Sequence, residues 1–214
     1  MRTLKEIRGL KYPDEFIVRH VFKRGLSERR GHVLELGCGT GNNLGLYLAW
    51  GWTATGVDYD AAALADCRFN HGDEVRLIQA DLAKGPAPVT GPFDAVIIPN
   101  LLCYLTNSQA RTVLATLKPQ LAPGCEVFVR TRLVDDYRYG RGVLEEPDGY
   151  RLATPETGEA GLFNRFYTVD GLTSLLAETL GLQDLTALTC RFDNIQGGLA
   201  VPGNSDVIIW GAAS

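Results

Sequence analysis

Val33-Leu34-Glu35-Leu36-Gly37-Cys38-Gly39-Thr40-Gly41-Asn42-Asn43 decides the fold of this 214-residue chain. A short apolar run, Val33 to Leu36, stops at three alternate glycines, and an apolar helical pattern follows at Leu44, Leu46, Tyr47, Leu48 and Trp50. The stretch reads as strand, tight glycine turn, helix. Such a turn lets backbone come close to a ligand, with helix N-terminal amides pointing at it.

Working outward, residues 1–13 read as a lead-in closed by Tyr12-Pro13. Asp14 is placed to cap a helix through Lys23, with Phe16, Ile17, Val21 and Phe22 on its apolar face. Downstream, the expected strands are 32–36, 53–58, 75–80, 93–98 and 125–131, and the expected helices are 42–50, 61–70 and one capped by Ser108 running to residue 118. Strands alternating with helices imply a parallel sheet covered on both faces. The near-continuous apolar runs 95–98 and 127–129 suit central strands. Residues 132–168 break this rhythm with glycines, charges and four tyrosines, too long for a plain connection. Asp170 is expected to cap a further helix to residue 180, followed by strand 182–190, a Gly-rich loop 196–205 and strand 206–210. Those two strands follow each other without a helix, so the last should run antiparallel.

The expectation is one domain over 1–214, with 1–30 a basic helical segment and 132–168 a substrate-side lid. The formal charge is −4, but residues 1–30 carry nine Lys/Arg against four Asp/Glu. A basic start could greet an anionic substrate or RNA, or be a solvated helix face. The insertion 132–168 holds five arginines and seven acids, so it is no basic nucleic-acid platform. Five cysteines lack CxxC spacing and are odd in number, which argues against a zinc site or a disulfide framework and fits a reducing cytoplasm. No apolar run approaches the roughly 18–20 residues of a membrane span.

A glycine turn alone is a weak signal. Asp58 closes the second strand 21 residues after Gly37, and Asp81 follows the third, 23 residues later. Ligands of open α/β sheets bind at the carboxyl ends of strands, so the turn and both acids face one crevice. Asp58 is placed for ribose hydroxyls and Asp81 for an adenine amino group; each could also merely cap a turn. A dinucleotide fingerprint wants glycine where this chain has Asn42, and the NTPase phosphate loop is absent. A carboxylate on the ligand could use the helix amides with Asn42 and Asn43, and Glu35 could meet an ammonium or brace the turn.

Residues 33–43 resemble motif I of the class I S-adenosylmethionine-dependent methyltransferases. Val57-Asp58, Ala80-Asp81 and the stretches 93–105 and 117–129 resemble the family's later motifs, in order. The segment 138–166 looks like small bacterial methyltransferases of unassigned substrate. The resemblance implies a Rossmann-like α/β fold with seven strands, the last inserted antiparallel beside the fifth. It implies S-adenosylmethionine as cofactor and S-adenosylhomocysteine as product. The cofactor-binding candidates are Glu35, Gly37, Cys38, Gly39, Asn42, Asn43, Asp58, Tyr59, Asp81, Leu82 and Asn100, with Gly37 to Gly39 on the methionine part.

Methyl transfer is an in-line displacement at an already activated carbon, so the protein mainly aligns the reactants and excludes water. No metal is needed, and a general base depends on the acceptor. Pro99-Asn100-Leu101-Leu102 lacks the second proline and stacking aromatic of amino-adenine methyltransferases, which disfavours nucleic-acid bases. Tyr104, Tyr137, Tyr139 and Arg165 are the candidate substrate contacts. The expected function is methylation of O or N on a small polar metabolite. RNA or protein methylation, and a cofactor-binding module without turnover, stand as alternatives.

Overall fold

The computed structural model describes residues 3–201 and 203–214. The chain enters through α1 (Glu15–Lys23), where the Asp14 carboxylate accepts the Phe16 N–H. Then come β1 (His32–Leu36), α2 (Leu44–Ala49), β2 (Thr53–Asp58), α3 (Ala61–His71), β3 (Val75–Gln79), β4 (Phe93–Pro99), α4 (Asn107–Leu117) and β5 (Leu121–Arg132). A second group follows: β6 (Gly142–Glu146), β7 (Gly149–Leu152) and β8 (Phe163–Arg165). The chain ends through α5 (Val169–Leu180), β9 (Leu182–Arg191), the hairpin β10 (Asn194–Gln196) and β11 (Leu199–Val201), and β12 (Ser205–Ala213).

Seven strands make the main sheet in the order β3-β2-β1-β4-β5-β12-β9. β1 to β5 pair in parallel, while β12 runs antiparallel to both β5 and β9. This is the expected Rossmann-like arrangement, with the last strand inserted beside the fifth. Strand order reverses between β1 and β4, which opens a crevice at their carboxyl ends.

Period-two alternation assigns the core to two faces. Leu34, Leu36, Val96, Ile98, Val127, Val129, Val207 and Ile209 point to the side covered by α4 and α5. Val33, Ile97, Phe128 and Ile208 point to the side covered by α1, α2 and α3. All twelve are fully buried, the condition for strands sandwiched between helix layers.

Several boundaries differ from the expectation. The helix expected over 42–50 is shorter because the Asn43 side chain is spent on neighbours, accepting the Asp14 N–H and donating to Glu35. The strand expected over 75–80 ends at Gln79. Thr106, not Ser108, caps α4: its hydroxyl takes the Gln109 N–H and the Gln109 side chain returns to the Thr106 N–H. Thr168, not Asp170, caps α5 through the Gly171 N–H. β5 starts at Leu121. The insertion is not bare loop: β6, β7 and β8 form an antiparallel sheet of their own. The loop expected over 196–205 opens with the β10–β11 hairpin, and its residue 202 lies outside the described residues.

Candidate active site

The glycine turn is held from below. Val57 carbonyl accepts both the Gly37 N–H (2.8 Å) and the Cys38 N–H (3.1 Å), and Cys38 carbonyl accepts the Gly41 N–H. Gly37, Gly39 and Gly41 sit at φ 76°, 51° and 79°, where a side chain is strained. Gly41 also packs on α3, since a Cβ there would lie 2.5 Å from Cys67 Sγ. A Cβ on Gly39 would meet nothing within 4 Å, so the turn presents open backbone on that side.

Beside Gly37, at the strand ends, lies a cleft of about 570 Å³. Gly37, Asp58, Tyr59, Asp81, Leu82, Asn100 and Tyr104, from four separate stretches of sequence, all line it. Asp58 joins two of these stretches: its carboxylate accepts the Gly39 N–H at 2.8 Å and the Asp60 N–H at 2.9 Å. Asp81 accepts the Ala83 N–H and pairs with Lys84 at 3.0 Å; the lysine, helped by the backbone amide, holds its carboxyl below the usual range. Asn100 adopts φ 54°, a conformation rare outside glycine that asparagine tolerates better than most residues, and its N–H bonds Arg130 carbonyl at 2.8 Å. This left-handed residue turns the chain off the end of β4, where Pro99, Asn100 and Leu101 line the cleft.

Other candidates lie elsewhere. Glu35 is 1% exposed and its Oε1 accepts from Asn43 at 2.7 Å, while Oε2 has no partner among the described residues. Burial pushes that carboxyl well above its ordinary range. Glu35 and Asn43 therefore brace the turn from inside, tying β1 to Asp14 at the start of α1. Cys38 is buried in the core on the α2 side. Asn42 donates to Tyr12 carbonyl and borders a separate, open groove under the N-terminal lead-in. That groove is larger, about 830 Å³, but it lies behind the turn and away from the strand ends. His71, with no partner legible in sequence, has its ring nitrogen 2.9 Å from Gly41 carbonyl and steadies the turn from α3.

Three of the four expected substrate contacts are engaged within the insertion and do not line the cleft. Arg138 stacks over Tyr137, its guanidinium carbon 4.8 Å from the ring centre. Tyr139 donates to Asp148 and packs edge-on against Tyr150 and Phe166. Arg165 donates to Glu146 at 2.6 Å and lies over Tyr167. Tyr139 and Arg165 thereby tie onto the small sheet, through Tyr150 and Glu146. What reaches the cleft from the insertion is Leu162 and Phe163, two apolar residues without a sequence signal.

Sequence reasoning also missed the charged cluster at the Tyr104 end. Tyr104 Oη donates to Glu159 Oε1 at 2.6 Å. Arg132 grips the same carboxylate with both nitrogens, at 2.9 and 2.6 Å, and reaches Tyr104 Oη at 3.2 Å. Arg138 adds a contact to Glu159 at 3.2 Å, while Asp136 and the Asn204 side-chain oxygen accept its other bonds. Burial would raise the Glu159 carboxyl, but Arg132 and Tyr104 outweigh it and hold it below the usual range. Only the fold could reveal this cluster, whose members are up to 55 residues apart.

A methyltransferase-domain family profile matches residues 33–124. The chain is 27% identical over 148 residues to an uncharacterized methyltransferase of Geobacillus sp., covering 68% of this chain and 67% of that protein. It is 38% identical over 96 residues to a trans-aconitate 2-methyltransferase of Delftia acidovorans, but spans only 35% of that protein and uses 44% of this chain. Among solved structures it resembles the Burkholderia thailandensis 1,6-didemethyltoxoflavin-N1-methyltransferase bound to its substrate and S-adenosylhomocysteine. The TM-score there is 0.62 at 18% identity, covering 94% of this chain and 80% of that one.

Proposed function

We propose that the chain is a class I S-adenosylmethionine-dependent methyltransferase and that it methylates an oxygen or nitrogen of a small polar metabolite; the methyltransferase-domain match and the methyltransferase relatives support this reading. The residues present fit the cofactor. The Gly39 side of the turn has room for a ligand against backbone, and Asp58 and Asp81 stand one strand apart at the rim of one cleft. In this reading Gly37 to Gly39 hold the methionine part, Asp58 takes the ribose hydroxyls, and Asp81 with Leu82 takes the adenine. Tyr59, 71% exposed, offers an aromatic face beside them. When bound, the cofactor supplies a methyl group on a sulfonium; the acceptor's lone pair forms the new bond, and the thioether departs with the old bond's electrons as S-adenosylhomocysteine.

The observation that carries the small-molecule reading is what lines the cleft. Leu162 and Phe163 of the insertion, with Tyr104 and Leu105, wall its far end, and the volume lies in the range of small-molecule sites. In this reading residues 132–168 form the lid of a single domain. Their role is to position the acceptor and exclude water, and no side chain at that end is assigned as a general base. Methylation of RNA or protein is disfavoured, because the basic N-terminal segment spends charge internally: Arg8 pairs with Asp66 and Arg24 with Glu126. Among the described residues no helix is long and apolar enough to cross a membrane, and five unpaired cysteines support a reducing, cytoplasmic setting.

Two experiments test this. Calorimetry should find micromolar binding of S-adenosylmethionine and none of NAD; the reverse sinks the cofactor assignment. A labelled-methyl screen over metabolites and RNA should place label in small molecules. Label chiefly in RNA overturns the acceptor class, and tight binding with no label anywhere favours a module without turnover.

A further inference from the structure

The cluster at the Tyr104 end is already a carboxylate-binding site, and its occupant belongs to the chain. Arg132 is buried, its side chain 8% exposed, and among the described residues its carboxylate partner is Glu159 alone. Two parallel bonds from one guanidinium, with a phenol hydroxyl as a third donor, are the usual recognition of a planar carboxylate. Arg138 is different: Asp136, fully buried, already neutralises it through two bonds. Without Glu159, Arg132 would be a buried cation lacking a counter-charge, and the site would call for an anion.

The two partners are mounted unequally. Arg132 ends β5, a central strand of the main sheet. Glu159 sits in the connection between β7 and β8, close to two left-handed glycines, Gly158 (φ 69°) and Gly161 (φ 86°). Around both glycines a Cβ would find open space, so no side chain packs over either, and the connection is held by backbone bonds such as Gly161 N–H to Leu152 carbonyl. Lifting this connection would remove the glutamate and leave the arginine in place. The cleft adjoins the cluster: Tyr104 belongs to both, and Leu162 and Phe163, which line the cleft, follow Glu159 in the same connection.

We propose that Arg132, with Tyr104 and the edge of Arg138, recognises a carboxylate of the methyl acceptor, and that Glu159 fills this subsite as an internal surrogate which the acceptor displaces. The proposal rests on the reading that a small acceptor enters this end of the cleft. The surrogate keeps the buried cation paired while the site is empty, and it couples acceptor entry to movement of the lid. It also lowers apparent affinity, because the competent state is only the fraction with Glu159 released.

The test titrates acetate, succinate and citrate into the full chain saturated with S-adenosylhomocysteine, beside neutral succinamide. Glu159→Gln removes the competing charge at nearly constant shape, and should bind at least one carboxylate tenfold or more tighter than wild type. Succinamide should show no gain, and adding Arg132→Gln should abolish it. Equal carboxylate affinity in wild type and Glu159→Gln, or a gain that survives Arg132→Gln, overturns the proposal. Should Glu159→Gln not fold, hydrogen exchange in wild type decides. Citrate should speed exchange of the Leu162 N–H, bonded to Glu159 carbonyl, and of the Gly161 N–H, bonded to Leu152 carbonyl. Unchanged exchange at saturating citrate refutes displacement. Binding of S-adenosylhomocysteine is measured first: its absence defeats the methyltransferase reading, while carboxylate titration of the unloaded chain still judges the subsite.

Discussion

Replacing Asp58 by alanine should separate the two tasks its carboxylate performs. The group accepts the Gly39 N–H at 2.8 Å and the Asp60 N–H at 2.9 Å, so it fastens the glycine turn to the end of β2. In the proposed complex its free lone pairs also receive two ribose hydroxyls. Hydrogen bonds to a charged acceptor contribute about 1.5–3 kcal/mol each, and the lower value applies because the cleft is open to water. Losing two ribose contacts therefore costs about 3 kcal/mol, a weakening of roughly 150-fold in affinity. The stability cost is smaller, about 1 kcal/mol, because the Gly39 and Asp60 amides can turn to solvent when the carboxylate goes. Calorimetric titration of S-adenosylhomocysteine into wild type and Asp58→Ala, with thermal melts on both, reads the two numbers separately. Affinity within threefold of wild type refutes the ribose assignment. A loss of affinity matched by collapse of the melt would show instead that the turn, and not the contact, was removed.

Two further outcomes follow from the same region. Burial holds the Glu35 carboxyl protonated to higher pH in the folded chain than in the unfolded one, so folded protein binds the extra proton and stability falls as pH rises above about 4.5. Denaturation from pH 5 to 8 should show Glu35→Gln gaining on wild type by up to about 1.4 kcal/mol per pH unit until the native carboxyl ionises; parallel curves would contradict it. Gly41→Ala would force φ 79° on a side chain that meets Cys67 Sγ at 2.5 Å and His71 Cδ2 at 2.9 Å. A loss of about 2 kcal/mol in denaturant unfolding is expected, and a neutral substitution would mean that α3 yields freely.

Sequence alone determined the frame of the molecule and the cleft edge at which the cofactor is proposed to bind. Residues 33–43 read as strand, turn and helix because that information is local: three glycines for positive φ, an apolar run before them, a helical period after them. Asp58 and Asp81 were legible as cleft residues because a parallel sheet brings the ends of successive strands to one edge. Helix caps were less legible, since Thr106 and Ser108 both qualify by type and only the reciprocal bond with Gln109 chooses between them. Only tertiary structure decided which residues of the insertion reach the cleft. Whether Tyr104, Tyr139 or Arg165 faces a ligand depends on side-chain direction within a small sheet whose pairing no short-range signal specifies. The same holds for Glu35, which sequence left between an ammonium contact and a brace; its burial and its bond from Asn43 fit the brace. Arg132 and Glu159 stood in the sequence as two ordinary charges 27 residues apart; folding excluded water around them and made them a buried ion pair.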